Sequence, residues 1–262
     1  MGVFILGFSR RRRLVCWINL SQCFPSLSFT ARLRLMLSTF VQIGIGLVEA
    51  AWVWFRPKSF LPGRIVFEDA DNLLEIERPS GTLILCPHIT MIEVILPALF
   101  ARVGDFSITY RPNNNQSLNQ IVEEGRSRYA NQINVRNLRS VVKTLRAGEI
   151  VWFAPDQDVG IRNSVFANFF GVAACTTTIP TRLVQLTGCD VVFMKLSRNL
   201  FCYRVAFERM SSDYGADVCA DAGELNAKIE QMVSRNPEQY WWVHRRFKTA
   251  ADGSRRDMYD GL

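Results

Sequence analysis

Histidine is almost missing from this chain, with only His88 and His244 among its 262 residues. A zinc site needs three or four ligands, and the seven cysteines at 16, 23, 86, 175, 189, 202 and 219 form no C-x-x-C pair, so neither a metal nor another cofactor is expected. Scattered, odd-numbered cysteines also make no disulfide framework, which suits a reducing compartment and the cytoplasmic side. No repeat or low-complexity stretch is present, and nothing in the composition suggests disorder.

Acidic residues are absent before Glu49, whereas Arg10, Arg11, Arg12, Arg13, Arg32 and Arg34 all precede it, so the net charge of +7 is unevenly placed. Such a stretch attracts anionic lipid headgroups, each basic residue contributing about 1 kcal/mol near the surface. It also suits an acidic protein partner, or is simply solvated. No nucleic-acid-binding motif accompanies the arginines, so nucleic acid is not expected as a partner.

A secretory signal is missing too, because the apolar residues of Val3 to Phe8 come before the arginines rather than after them. Leu6 stands where a myristoylation motif wants Ser or Thr. Leu35 to Phe55 is long enough to span a bilayer, but Gln42 and Glu49 interrupt it and Gly44 and Gly46 weaken it as an isolated helix. A helix buried partly in the protein and partly in the membrane interface is expected.

With 48% hydrophobic residues the chain can bury a full core. After Pro62-Gly63, short β-rich runs alternate with amphipathic stretches, which predicts an α/β sheet domain over residues 63–262 behind a basic, apolar N-terminal region over 1–62. Strands are expected at Thr82 to Leu85, Phe106 to Tyr110, Ile150 to Ala154, Val191 to Lys195 and Cys202 to Phe207. Helices are expected at Met91 to Arg102, Leu118 to Tyr129, Leu138 to Ala147, Thr178 to Thr187 and Leu225 to Ser234. Three strand ends run into chemistry-rich loops: Pro87-His88, Tyr110 to Asn115, and Ala154-Pro155-Asp156-Gln157-Asp158.

His88 is followed five places later by Glu93, the pattern of a base with an orienting carboxylate. On one regular helix the two side chains would stand about 140° apart, so they meet only across a helix start. Pro87 ends the strand and Thr90 is placed to cap a helix from Met91, leaving His88 in the loop with Glu93 reaching back. On spacing alone, a lone histidine beside apolar residues is more often a satisfied core or surface group than a catalyst. Cys86 lies two residues before His88, but its apolar neighbours predict a buried, inert thiol.

Together, His88-x4-Glu93, Tyr110-Arg111-Pro112-Asn113-Asn114-Asn115, Gly125-Arg126-Ser127-Arg128, Ala154-Pro155-Asp156-Gln157-Asp158-x-Gly160-x-Arg162-x-Ser164-Val165-Phe166, Phe169-Phe170-Gly171, Thr176-Thr177-Thr178 and Pro237 to Thr249 resemble the late acyltransferases of lipid A biosynthesis. The resemblance runs from about Arg10 to about Thr249, with the blocks in the family's order. It implies a lysophospholipid acyltransferase-like α/β fold, a mixed central sheet flanked by helices, on the cytoplasmic face of the inner membrane. It further implies an acyl thioester on the acidic acyl carrier protein as donor, and a hydroxyl on a 3-hydroxyacyl chain of a lipid A precursor as acceptor.

That reaction suits His88 as general base oriented by Glu93, with no covalent enzyme intermediate. Arg126 or backbone N–H groups near the helix start are candidates for stabilising the oxyanion; for Arg126 the alternative is a surface arginine. Asp156 is expected to orient an arginine or a loop, and Asp158, close to Gly160, to serve a turn or cap. Arg111, Asn113 and Arg162 belong to the family's blocks and are candidates for binding the acceptor, the arginines through its phosphates or carboxylates; for each arginine the alternative is a structural ion pair. The Tyr240 to Thr249 block joins aromatic and basic residues, as at a membrane interface or in a core; His244 is expected to be structural or lipid-facing. Family members usually carry a membrane-spanning helix before the basic stretch, and Val3 to Phe8 is far short of the roughly 20 residues required, so the expectation is either peripheral binding through basic and aromatic surfaces or a sequence that begins at an internal start or is a truncated copy. The competing readings are a non-catalytic lipid-binding remnant and an acyltransferase for another lysolipid. Acyl-chain length and oligomeric state are not legible.

Overall fold

The computed structural model describes residues 10–55, 64–68, 79–113, 115–200 and 202–260. Val3 to Phe8, the boundary at Pro62-Gly63 and Asn114 lie outside the described residues. The chain begins with two helices, α1 (Arg10–Cys23) and α2 (Phe29–Phe55). Strand β1 (Arg64–Glu68) follows, then β2 (Thr82–Leu85), α3 (Ile92–Val103), β3 (Ser107–Tyr110), α4 (Gln116–Arg126), β4 (Asn131–Asn134), α5 (Leu138–Arg146) and β5 (Ile150–Phe153). A hairpin of β6 (Ser164–Phe169) and β7 (Val172–Thr177) precedes α6 (Ile179–Thr187), β8 (Asp190–Asn199), β9 (Cys202–Arg209) and α7 (Val218–Arg235).

The central sheet has the order β1-β9-β8-β2-β5-β3-β4. Five neighbouring strands from β8 to β4 are parallel, and β9 reverses direction against β8, so the sheet is mixed and flanked by helices as expected. β2 is buried at all four positions because it sits in the middle with layers on both faces. Its short, continuous apolar run is the sequence mark of such a strand.

Four strands had no sequence expectation. β4 reads Asn-Gln-Ile-Asn, a polar strand at one edge of the described sheet, paired with β3. β1 lies at the opposite edge of the described sheet, paired with β9. The β6–β7 hairpin turns through Phe170 and Gly171, both at positive φ (50° and 79°), the backbone of a tight two-residue turn. Phe170 is held there by tilted and edge-on ring contacts with Phe24, Phe169 and Trp242, while Glu230 accepts from its N–H. Helix α7 begins at Val218 rather than Leu225 because Asp217 caps it, its carboxylate accepting from Cys219 and Ala220 N–H.

One cluster of buried residues runs from Val15 and Leu20 of α1 through Phe40 and Val53 of α2 to the sheet and to Phe247, so the first two helices share the core of the sheet layer. The opposite side of α2 is different. Leu37, Val41, Ile45, Val48 and Phe55 are all exposed and recur at near-helical spacing, forming an uncharged apolar stripe. By length and composition α2 can cross a membrane, yet half of its most apolar window is buried against the protein.

Candidate active site

Strands β2 and β5 are parallel neighbours with Leu85 opposite Phe153. Each is followed by the same pattern, one residue, a proline and then a polar residue: Cys86-Pro87-His88 after β2 and Ala154-Pro155-Asp156 after β5. Equal offsets from register partners bring His88 and Asp156 out side by side at the C-terminal edge of the sheet, where open α/β sheets build their sites. The ring Nδ1 of His88 lies 2.7 Å from Asp156 Oδ1, and the same oxygen accepts from the His88 backbone N–H at 3.0 Å. Tyr240 donates its hydroxyl to Oδ2 at 2.9 Å.

Asp156 is 3% exposed, and burial works against its charge. The attraction of the His88 ring and the hydrogen bonds from His88 and Tyr240 outweigh that penalty and hold the carboxyl at about 2. An ionised Asp156 only accepts, so Nδ1 carries a proton and Nε2 is the ring's acceptor. The His88 side chain, 34% exposed, lines the cleft. Tyr240 stays a phenol, because burial and Asp156 both push its ionisation well above the ordinary value.

The carboxylate that orients His88 is therefore Asp156, and the expectation that Glu93 does so is corrected. Glu93 turns instead to Arg126 of α4, whose Nε reaches both carboxylate oxygens at 3.1 and 3.2 Å while one Nη bonds Oε1. Trp54 Nε1 donates to Oε2 at 3.0 Å. The physical reason lies in the loop before α3. Residues 88–90 bridge to the C-terminal segment, with Trp241 N–H donating to the His88 carbonyl and Thr90 N–H to the Gln239 carbonyl. Pinned this way, the loop sends the His88 ring toward β5 while α3 carries Glu93 toward α4. The same bridging leaves Thr90 without a capping role: Met91 takes the N-cap place, and the Thr90 hydroxyl is buried with no hydrogen-bond partner among the described residues.

His88, Glu93, Arg126 and Arg111 share one cleft of about 360 Å³. Its remaining lining is mostly apolar, and Leu96, Ile108 and Trp152 are each less than about a tenth exposed. Ile108 and Trp152 are register partners on β3 and β5, so their side chains share a face, two residues inside the end of β3 at Tyr110. A cleft with His88 and the Glu93–Arg126 ion pair among its polar lining and buried apolar side chains elsewhere accommodates an amphiphile.

Asn113 and Arg162 are not part of this lining. Asn113 orders the loop before α4, donating its N–H to Asn119 Oδ1 and accepting from Asn115 N–H. Arg162 is exposed in the turn before β6. Asp158 has the turn role expected of it, accepting from Gly160 N–H, and its carboxylate also receives the Thr249 N–H and hydroxyl. Cys86 is fully buried, with its thiol pushed well above the usual range by burial and by Asp156, so it is inert. In the C-terminal block, Trp242, Arg246 and Phe247 are core rather than interface, and Arg246 donates to the Cys175 carbonyl and to Asn226 Oδ1. Tyr240 and Trp54 had no sequence expectation as partners of site carboxylates; the repeated x-Pro-His and x-Pro-Asp pattern was the legible signal for the His88–Asp156 pair.

His244 is structural, its Nε2 accepting from Asp158 N–H at 3.1 Å. Burial depresses its pKa from 6.5 to about 3, so the folded state binds its proton later than the unfolded chain does. Stability should therefore fall as pH drops from about 6.5 toward 3, by at most about 1.4 kcal/mol per pH unit from this group. Chemical denaturation at a series of pH values checks this, and His244→Gln, which keeps an acceptor without the titration, is expected to flatten the curve across that window.

The family described as bacterial lipid A biosynthesis acyltransferase matches residues 1–249 of the chain. Among individual proteins, the lipid A biosynthesis palmitoleoyltransferase of Escherichia coli is 34% identical, covering 97% of this chain and 84% of the relative. The lauroyltransferase of the same organism is 29% identical, again over 97% of this chain and 84% of the relative. A lipid A biosynthesis acyltransferase of Haemophilus influenzae is 28% identical over 97% of this chain and 83% of its own length.

Proposed function

This chain belongs to the bacterial lipid A biosynthesis acyltransferases, and from that membership and the cleft we propose that it moves a fatty acyl group from a thioester on acyl carrier protein to the hydroxyl of a 3-hydroxyacyl chain on a lipid A precursor. The enzyme is an O-acyltransferase of lipid A biosynthesis. What carries the finer reading is the His88–Asp156 pair, 2.7 Å apart, at the rim of an apolar cleft.

An aliphatic hydroxyl attacks a thioester only if its proton leaves as the new bond forms. His88 Nε2 takes that proton, and Asp156 fixes the tautomer and offsets the charge that the ring acquires. The hydroxyl oxygen bonds to the thioester carbon, and a tetrahedral oxyanion forms. Arg126, with two of its nitrogens tied to Glu93, keeps its second Nη for the oxyanion or for an acceptor phosphate. Collapse breaks the carbon–sulfur bond, and the imidazolium returns its proton to the departing thiolate. Arg111, exposed at the rim, is placed for an anionic group of the acceptor.

The apolar inner end holds the acyl chain, with Leu96, Ile108 and Trp152 as its floor. Each buried methylene contributes about 0.8 kcal/mol, roughly a fourfold preference. Ile108→Val and Trp152→Phe, which deepen the floor with little loss of packing, should move the preferred donor to longer chains. Competition between acyl donors of different length checks this; an unchanged preference would place the floor elsewhere.

The exposed stripe of α2 and the arginines of α1 suit a helix lying in the interface of an anionic membrane, on the cytoplasmic face of the inner membrane where acyl carrier protein donors are found. Expression in cells that lack a late acyltransferase tests the function. Lipid A should gain one acyl chain, and fragmentation should place it on a hydroxyacyl branch. An unchanged mass with folded protein present would point to another lysolipid acceptor or to a non-catalytic remnant.

A further inference from the structure

We infer that Trp54 of α2 is a positioning residue for the Glu93–Arg126 pair, and that Gly125 of α4 is the residue that admits it. This rests on the reading of the cleft as an acyl-transfer centre and adds to it a residue of α2, a helix to which the sequence alone assigns no part in the chemistry. Arg126 can address a reacting oxygen in one geometry only if Glu93, which grips it, is itself fixed. Arg126 supplies bonds to both Glu93 oxygens, and Trp54 Nε1, at 3.0 Å from Oε2, is a donor that reaches this carboxylate from outside α3 and α4.

The neighbouring glycine gives the second observation. A Cβ on Gly125 would lie 2.4 Å from Trp54 Cγ and Cδ1 and 2.7 Å from its Cβ, closer than real carbon atoms approach. Gly125 sits within α4 at a helical position, so its lack of a side chain is explained by this close approach and not by backbone freedom. Residue 125 is thus shaped to the indole, and residue 126 beside it carries the guanidinium.

The helix that delivers Trp54 is held at a set depth. A Cβ on Gly46 would come 1.9 Å from the Thr90 carbonyl oxygen, so α2 packs backbone to backbone on the loop that carries His88. One turn further on, buried Glu49 is gripped by Arg198 and by the Tyr203 hydroxyl at 2.7 Å, and Arg198 also bonds Gln42. These contacts tie α2 to β8 and β9 at the middle of its length. Trp54, near its C-terminal end, then projects a donor at a reproducible place. An indole that served only as an interfacial anchor would keep its N–H toward headgroups, whereas this one is spent on a carboxylate of the site.

The test uses the full chain and a labelled acyl thioester with a lipid A precursor. Trp54→Phe keeps an aromatic ring at the position, smaller than the indole, and deletes the N–H. It should lower kcat about tenfold, with KM for the donor within about twofold and the thermal midpoint near that of the parent, since small displacements of site groups are amplified in rate. Because Trp54 acts through Glu93, adding Trp54→Phe to Glu93→Gln should cost less than about twofold beyond Glu93→Gln alone. Gly125→Ala, which keeps the N–H and displaces the ring, should show the same loss and the same non-additivity. It serves as the second probe if Trp54→Phe lowers the midpoint. A parental kcat in both variants, or losses that multiply with that of Glu93→Gln, would overturn the inference. His88→Ala run alongside separates the two levels. If it remains active, the reading of the site fails; if it is dead while Trp54→Phe and Gly125→Ala behave as the parent, only the role of Trp54 fails.

Discussion

His88→Ala is expected to lower acyl transfer by about a hundred- to ten-thousandfold at neutral pH while leaving the fold intact, because general-base assistance to an alcohol is worth roughly 10²–10⁴ and no other free base lines the cleft among the described residues. Among the residues lining the cleft, Glu93 is the other titratable acid or imidazole, and it is engaged by Arg126 and Trp54. The fold should survive with a modest loss of stability: the ring is about a third exposed and its departure opens the cleft rather than the core, but buried Asp156 loses one of its donors. The loss should fall on kcat, with the donor KM nearly unchanged, and steady-state kinetics beside a thermal melt reads both. A variant retaining a tenth of parental activity would mean that the proton leaves by another route.

Asp156→Asn is expected to have an effect of similar size for a different reason. An amide at 156 can turn its NH₂ toward Nδ1, which forces the proton onto Nε2 and leaves the ring unable to accept from the substrate. In Ser-His-Asp enzymes the equivalent exchange costs about 10⁴ in kcat by this tautomer effect. The variant should also lose stability, because Asp156 is buried with three donors arranged for a carboxylate. Its folded pKa of about 2, against an ordinary 3.8, means that the unfolded chain takes up this proton first as pH falls. The contribution, about 2 kcal/mol, is fully present above pH 4 and is lost between about 4 and 2. Parental protein should therefore lose stability over that window by more than Asp156→Asn does. Equal acid sensitivity would mean that the carboxyl is not held charged by His88 and Tyr240.

Much of this arrangement was legible in the sequence, and the reasons for the exceptions are physical. Central strands such as Thr82–Leu85 and Ile150–Phe153 announce themselves because burial on both faces demands a continuous apolar run. The edge strand Asn131–Asn134 does not, since an exposed edge imposes no hydrophobic pattern. His88, Glu93, Arg126 and Asp156 were all marked by their motifs, and all four lie at or beside one cleft. Their pairing was not marked. Sequence proximity favoured Glu93 as the partner of His88, whereas register places Asp156 there, 68 residues away, because β2 and β5 are neighbours and Leu85 faces Phe153. The order of strands in a parallel sheet is a tertiary property, and only the matching Cys86-Pro87-His88 and Ala154-Pro155-Asp156 offsets hinted at it. The contact of Trp54 with Glu93 was not marked for the same kind of reason: a helical stripe shows which side chains are apolar, not which neighbour has a glycine opposite them.

The most direct measurement of the central claim is the mass of a lipid A precursor bearing a free 3-hydroxyacyl group after incubation with the purified chain and acyl-loaded acyl carrier protein, with His88→Ala in parallel. The account predicts that the parent adds one acyl group as an ester on that hydroxyl, and that the folded variant leaves the precursor mass unchanged. An unmodified precursor with active, folded parent protein, or equal acylation by His88→Ala, would contradict it.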